Sequence, residues 1–144
     1  MENSRKKFRL CVTLLAINVA FIWGNSLLPG AVSGAISQWV KEVLQTLLGL
    51  DGSETGHGLL RKIAHFTEFS CLGALLAWLF SMLKRQRLWA LLCGGAVACV
   101  DEFIQCFVPD RGPAFTDVLI DTAGVLLGIC LLTVGYGIYR KTVK

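Results

Sequence analysis

The sequence contains no CxxC pair, no HExxH motif, no internal repeat and no low-complexity tract. The missing CxxC spacing removes the usual framework for a thiolate metal site. The six cysteines (Cys11, Cys71, Cys93, Cys99, Cys106 and Cys130) all lie inside apolar runs, where they act as small packing residues. The missing HExxH removes the tightest helical zinc motif. Proline occurs three times, at Pro29, Pro109 and Pro113, and interrupts none of the long apolar runs. Charge is scarce as well, at 17% of residues against about 25% in an ordinary soluble domain.

What is abundant is apolar sequence. Hydrophobic residues make up 54% of the chain, the mean hydropathy is +0.61, and the excess is gathered into long runs. About 20 helical residues cross the hydrocarbon core of a bilayer, so 144 residues hold about four spans and leave no room for a soluble domain. The runs predict spans at about 10–28, 63–83, 88–108 and 117–139. The basic start and apolar first run imitate a secretory signal, but the run exceeds the usual signal core of about 7–15 residues, so it reads as a retained helix.

Residues 34–49 differ. Ile36, Trp39, Val40, Val43, Leu44, Leu47 and Leu48 recur at helical spacing, with Ser37, Gln38, Lys41, Glu42, Gln45 and Thr46 opposite. This is an amphipathic helix, lying either in the membrane interface or as a lid on the other helices. The glycine-rich segment 50–60 is expected to be a loop, with His57 a solvated loop residue. Trp23, Trp39, Trp78 and Trp89 suit interfacial belt or packing positions. The expected fold class is therefore all-α: a polytopic membrane protein with four transmembrane helices plus one amphipathic interfacial helix.

Lysine and arginine set the orientation. Arg5, Lys6, Lys7, Arg9, Lys84, Arg85, Arg87, Arg140, Lys141 and Lys144 fall on one side of a four-span chain. Lys41, Arg61, Lys62 and Arg111 fall on the other. The first side is expected to be cytoplasmic, with both termini on it and the chain in the plasma membrane. The net charge of +4 comes from these flanks and marks contact with anionic membrane lipids, not with nucleic acid.

The acids have the opposite bias. Glu68, Asp101, Glu102, Asp117 and Asp121 lie inside or at the edges of spans, joined by His65 and Gln105. At 1.5 Å per residue, Glu68 sits about 8 Å, Asp101 about 10 Å and Asp121 about 6 Å from the outer end of its own span. Helices running in alternating directions thus place polar residues at one level. Charged residues within a span normally face a bundle interior or a wet cavity. Facing agrees: Lys62, His65 and Glu68 share a stripe, Asp101 and Gln105 are one turn apart, and Asp117, Asp121, Gly124 and Gly128 descend one face. Gly124-x-x-x-Gly128 allows another helix to come close.

Lys62-x-x-His65-Phe66-x-Glu68-Phe69, Asp101-Glu102-x-x-Gln105-x-Phe107-x-Pro109-x-Arg111 and Asp117-x-x-x-Asp121-x-x-Gly124 occur in that order. Together they resemble the VanZ-like family of membrane proteins, strongly over residues 61–128 and weakly at Trp23, Ser26 and Pro29. Phe69 stands where the family often has tyrosine, and Asp121 where it often has asparagine, which adds an acid. The resemblance implies a single VanZ-like domain over 1–144 and a cell-envelope role. The family's founding member is associated with low-level resistance to the glycopeptide teicoplanin. The resemblance supplies no biochemical activity.

Each polar group has a functional and a structural reading. His65 and Glu68 suit a general acid/base with its orienter, or a buried hydrogen-bonded pair joining helices. Asp101 and Glu102, with Gln105 and with His65 or Asp121, suit a divalent cation, or a network neutralising Lys62 and Arg111. Lys62 and Arg111 suit a phosphate clamp, or snorkelling helix-end anchors. The expected catalytic set is His65, Glu68, Asp101 and Glu102. The expected ligand-binding set is Lys62, Gln105, Arg111, Asp117 and Asp121. The ligand class is an anionic lipid-linked envelope precursor or a lipoglycopeptide antibiotic at the outer leaflet. A non-catalytic scaffold is the main alternative. A small proton-coupled carrier is a weaker one, because the cytoplasmic half lacks a polar path.

The cation bias makes a direct prediction. In a cysteine-free version, Thr55→Cys should react with an impermeant thiol reagent in intact cells, and Gln86→Cys should not. Reversed labelling would overturn the orientation.

Overall fold

The computed structural model describes residues 2–48 and 57–142. They form five helices: α1 (Glu2–Ser26), α2 (Gly30–Leu48), α3 (His57–Met82), α4 (Arg87–Gln105) and α5 (Phe115–Thr142). Among the described residues there is no strand. α1, α4, α5 and the Leu59–Met82 part of α3 are each long and apolar enough to cross a membrane. The chain is an all-α, multi-pass membrane protein.

Burial is inverted relative to a water-soluble protein. Ile17 is 61% and Phe103 63% exposed, whereas Asp101 is 0% and Asp121 1% exposed. Apolar side chains face outward because lipid solvates them as well as a core would. Carboxylates face inward because they need polar partners. The apolar core is built on Phe69, Leu72, Leu76 and Ala77 of α3, Ala90 and Ala98 of α4, and Val125 and Ile129 of α5, with Ile22 of α1. α3 touches each of the other four helices and is the centre of the bundle.

The α3–α5 contact is the closest. A Cβ on Gly124 would lie 2.6 Å from the Phe66 carbonyl oxygen. One on Gly128 would collide with the Ser70 carbonyl, and one on Gly73 with the Val125 carbonyl. Backbone therefore meets backbone, as the Gly124-x-x-x-Gly128 spacing anticipates. This approach brings Asp121, one turn before Gly124, alongside the α3 face that carries His65.

Several boundaries differ from the sequence reading. α1 begins at Glu2, not near residue 10, because its charged flank is also helical; Lys6 and Glu2 pair one turn apart at 2.7 Å. α3 begins at His57, so that residue starts a helix instead of lying in a loop. The remainder of the glycine-rich segment, residues 49–56, lies outside the described residues. α4 ends at Gln105 and not at 108. Pro109 disfavours helical geometry at the residue before it, and the chain unwinds through short turns donated by Phe107 to Ile104 and by Val108 to Gln105. Asp110 then takes a left-handed conformation, φ 58°.

α2 begins directly after Pro29, whose carbonyl accepts from the Ser33 amide at 3.0 Å. Its start is pinned to the α4–α5 loop: the Gly30 amide donates to Pro109, and a Cβ on Gly30 would collide with the Asp110 carbonyl. Val32, Ile36, Trp39 and Val43 form an exposed stripe, while Ser33, Ser37, Val40 and Lys41 are partly covered. Val32, Ile36, Trp39 and Val43 thus point away from the bundle. A lid would turn that face inward, so the geometry favours the interfacial reading.

The α3–α5 contact can be tested with a pair of substitutions. Gly128→Ala should lower thermal stability in detergent by about 1–3 kcal/mol or more, since backbone atoms cannot give way. Gly135→Ala, with nothing within 4 Å, should be neutral or slightly stabilising. Equal effects from the two would refute a backbone-tight interface.

Candidate functional site

The polar residues of α1, α3, α4 and α5 meet at the end of the bundle opposite the termini. His65 is the midpoint. Its Nδ1 lies 3.8 Å from Asp101 Oδ2 and 3.8 Å from Asp121 Oδ2, within ion-pair range but longer than a hydrogen bond. Asp101 is held from two sides. Its Oδ1 accepts from the Ser26 hydroxyl at 2.7 Å, and its Oδ2 accepts from Gln105 Nε2 at 3.0 Å. Gln105 Oε1 in turn accepts from Arg61 Nη2 at 2.7 Å. A chain of charge-assisted bonds therefore runs from a cation on α3, through α4, to the end of α1.

Adjacent acids on a helix diverge by about 100°, and Asp101 and Glu102 show the result. Asp101 turns into the cluster. Glu102 turns toward α5 and accepts from the Ala114 amide at 2.9 Å. That amide immediately precedes α5 and belongs to a helix start that lacks intrahelical acceptors. Glu102 still borders the polar pocket, together with Arg61, Lys62, His65, Gln105, Asp117, Ile120 and Asp121. The enclosed part of this pocket is narrow, about 10 Å³, on the order of one water molecule.

The expected residues do not all play the expected parts. His65, Asp101, Gln105 and Asp121 converge, with Glu102, Lys62 and Asp117 at the pocket wall. Glu68 points instead to α1, where its Oε1 accepts from Asn25 Nδ2 at 3.0 Å. The carboxylates facing His65 Nδ1 are accordingly Asp101 and Asp121, so Glu68 is not the hydrogen-bonded orienter of the imidazole. Lys62 Nζ approaches Asp117 at 3.7 Å with half its side chain exposed, a pair of little energetic weight.

Arg111 stands apart from the cluster. It does not border the pocket. Its Nε donates to the Leu28 carbonyl at 3.1 Å and its Nη2 to the Asn25 carbonyl at 2.9 Å, which also accepts from the Leu28 amide at 3.2 Å, so it caps the C-terminal end of α1. Burial, and secondarily the nearby Arg61, draw its pKa below the usual guanidinium value, but a guanidinium stays charged at any physiological pH. The cation next to Lys62 at the pocket is Arg61, which sequence reasoning placed only in the charge count. Asn25 was missed too, and Ser26 entered only through the family resemblance. Both lie at the end of an apolar run with no spacing motif. The available signal was Asn18–Asn25, seven residues apart on one face of α1, with Ser26 beside it.

Five buried polar atoms have no hydrogen-bond partner among the described residues: Asn18 Oδ1, Trp23 Nε1, Glu68 Oε2, Arg111 Nη1 and Asp121 Oδ2. Asp121 Oδ2 is the one that faces His65. In chemical terms the site holds one imidazole between two carboxylates, a bonded cation behind them and a half-exposed cation in front.

A family model described as VanZ/LLP1 matches residues 8–136. No curated protein and no solved structure matches the chain.

The Arg111 geometry carries its own test. Arg111→Ala should lower thermal stability in detergent by about 1–3 kcal/mol, the range for charged hydrogen bonds. Arg111→Lys should recover only part of that, because an ammonium cannot span both carbonyls. Wild-type stability in both variants, with weakened binding of a phosphate-bearing lipid, would return Arg111 to the ligand.

Proposed function

From the premise that the chain belongs to the VanZ/LLP1 family of membrane proteins, we propose that it recognises the anionic, phosphate-bearing headgroup of a lipid-linked cell-envelope molecule or lipoglycopeptide at the outer leaflet of the plasma membrane. In this reading the termini are cytoplasmic, as the lysine and arginine distribution indicates. The same family relation supports a contribution to glycopeptide resistance of the teicoplanin type as part of this proposal.

One observation carries the proposal. A polar pocket sits at the end of a bundle that is otherwise apolar, with Arg61 and Lys62 side by side at its wall and His65 and Asp121 beneath them. The enclosed space is too narrow for a headgroup, so the phosphate sits at the mouth. Arg61 is fixed there by Gln105, and Lys62 is mobile enough to swing from Asp117 to a better anion. Arginine supplies a planar fork and lysine a point charge. The acyl or prenyl tail remains in lipid, against the apolar exteriors of the helices. Were the bound headgroup to be modified, His65 is the group suited to proton transfer near neutral pH, with Asp101 and Asp121 setting its charge.

A structural scaffold is the second reading, and a specific observation favours it: the links Ser26–Asp101–Gln105–Arg61, Asn25–Glu68 and Glu102–Ala114 each join two elements of the bundle. The carrier reading gains no comparable support. Among the described residues, the buried acids and His65 all lie at the pocket end, and the hydrophobic core beyond them is built on Leu72, Leu76, Ala77, Ala90, Val125 and Ile129.

Lys62→Gln separates the two readings, because the exposed Lys62–Asp117 pair contributes little to stability. Headgroup recognition predicts about tenfold weaker binding of a prenyl phosphate by the purified protein, with unchanged thermal stability. The scaffold reading predicts no change in either. Teicoplanin susceptibility of cells expressing Lys62→Gln or His65→Gln at normal membrane levels is the matching cellular readout.

A further inference from the structure

We infer that His65, Asp101 and Asp121 form a binding site for one divalent first-row transition metal ion, zinc or manganese. The site coincides with the floor of the proposed headgroup pocket, but the inference does not depend on what that pocket binds. One ligand atom from each of the three residues lies within 4.8 Å of the other two. His65 Nδ1 is 3.8 Å from the Oδ2 of each aspartate. A point equidistant from such a triangle lies roughly 2.1–2.5 Å from each corner, at or a few tenths of an ångström beyond zinc–nitrogen and zinc–oxygen bond lengths, so a small inward shift of the side chains completes the coordination.

Three further observations point the same way. Asp121 is 1% exposed, and its Oδ2, the atom facing His65, has no hydrogen-bond partner. An unpaired carboxylate oxygen buried in a membrane bundle is costly, and a cation removes that cost. A protonated His65 would remove it less well, since 3.8 Å is too long for a hydrogen bond to either oxygen. Charge also fits: with a neutral imidazole, two carboxylates balance a divalent ion. Lastly, Asp101 is held by Ser26 and Gln105, and Gln105 by Arg61. Outer hydrogen bonds of this kind orient a metal-ligating carboxylate.

The donor set selects the ion class. One imidazole nitrogen with two carboxylate oxygens suits zinc or manganese, whereas calcium and magnesium prefer all-oxygen shells. The three ligands come from α3, α4 and α5, and three are fewer than the four or more that such an ion takes, so coordination positions remain open. The narrow space bounded by His65 and Asp121 holds about one water there.

The test uses the full chain, purified in detergent, stripped with chelator and kept free of added lipid. Titration with Mn²⁺, read by loss of the free-ion electron paramagnetic resonance signal, should saturate at one ion per chain and be reversed by Zn²⁺. Asp121→Asn and His65→Gln should each weaken binding at least about tenfold. Asp110→Asn, an exposed acid at the same end of the bundle, should bind as wild type. Electron spin-echo modulation from an imidazole nitrogen in the wild-type Mn²⁺ complex shows that a histidine binds the ion even if a variant fails to fold, and its survival in His57→Gln assigns it to His65. Absence of saturable binding, absence of nitrogen modulation, unchanged binding in Asp121→Asn, or equal loss in Asp110→Asn would each overturn the inference. Because no lipid is present, such a failure leaves the headgroup reading untouched, and failure of prenyl phosphate binding leaves the metal site untouched.

Discussion

An ionised carboxylate inside a bilayer must find polar partners within the protein, since lipid supplies none. Placing an acid or a base at the centre of a spanning helix costs about 2.5–3.5 kcal/mol on insertion scales, and this chain carries several within its spans. Asp101 meets the requirement with hydrogen bonds from Ser26 of α1 and Gln105 of its own helix, and Glu102 meets it with a backbone amide across the loop. The pairing fixes which face of each helix turns inward at one end of the bundle. The rest of the architecture follows from that choice: large apolar side chains on the exteriors, a mainly apolar core below the polar layer, and a narrow pocket where partners fall short.

Close backbone packing makes the convergence available. Gly73, Gly124 and Gly128 let α3 and α5 meet carbonyl to Cα, which sets His65 beside Asp121. A wider α3–α5 spacing would open the triangle of His65, Asp101 and Asp121 beyond the reach of a single ion or proton. Arg111 serves the same end indirectly. By tying the α4–α5 loop to the end of α1, it holds Ser26 at the height of Asp101. Gly30 docks against the same loop, so α2 leaves the bundle at a fixed point with its apolar stripe turned outward toward the membrane interface.

Together these contacts separate two kinds of polar residue. Ser26, Asn25, Gln105, Glu102 and Arg111 have their groups engaged across helix boundaries and read as framework. Arg111 and Glu68 each keep one buried atom without a partner, but they lie away from the pocket; of the residues that border it, Lys62 is half exposed at the mouth and Asp121 is buried with an unpaired oxygen at the floor. Incomplete satisfaction of a buried polar group calls for an explanation, and those two positions bracket the space for which a phosphate and a cation are proposed.

The sequence by itself determined the class of the protein, four spans, an amphipathic segment and a polar layer at one depth. All of these depend on the number and order of apolar residues and on the 1.5 Å rise of a helix, quantities that need no partner. It also determined that His65, Asp101, Gln105 and Asp121 share a layer, because helical periodicity gives facing within each element. Only the tertiary structure decided partners. It gave Glu68 to Asn25, Arg111 to the carbonyls of α1, and the pocket's arginine to Arg61, one residue from the position that motif spacing emphasised. Rotation of one helix about its axis relative to another sets such choices, and that angle comes from glycine-mediated packing between distant segments. The α4 terminus moved from 108 to 105 for a related reason. Hydropathy continues through Phe107 and Val108, but the backbone there answers to Pro109 and to the loop it must form, not to side-chain polarity.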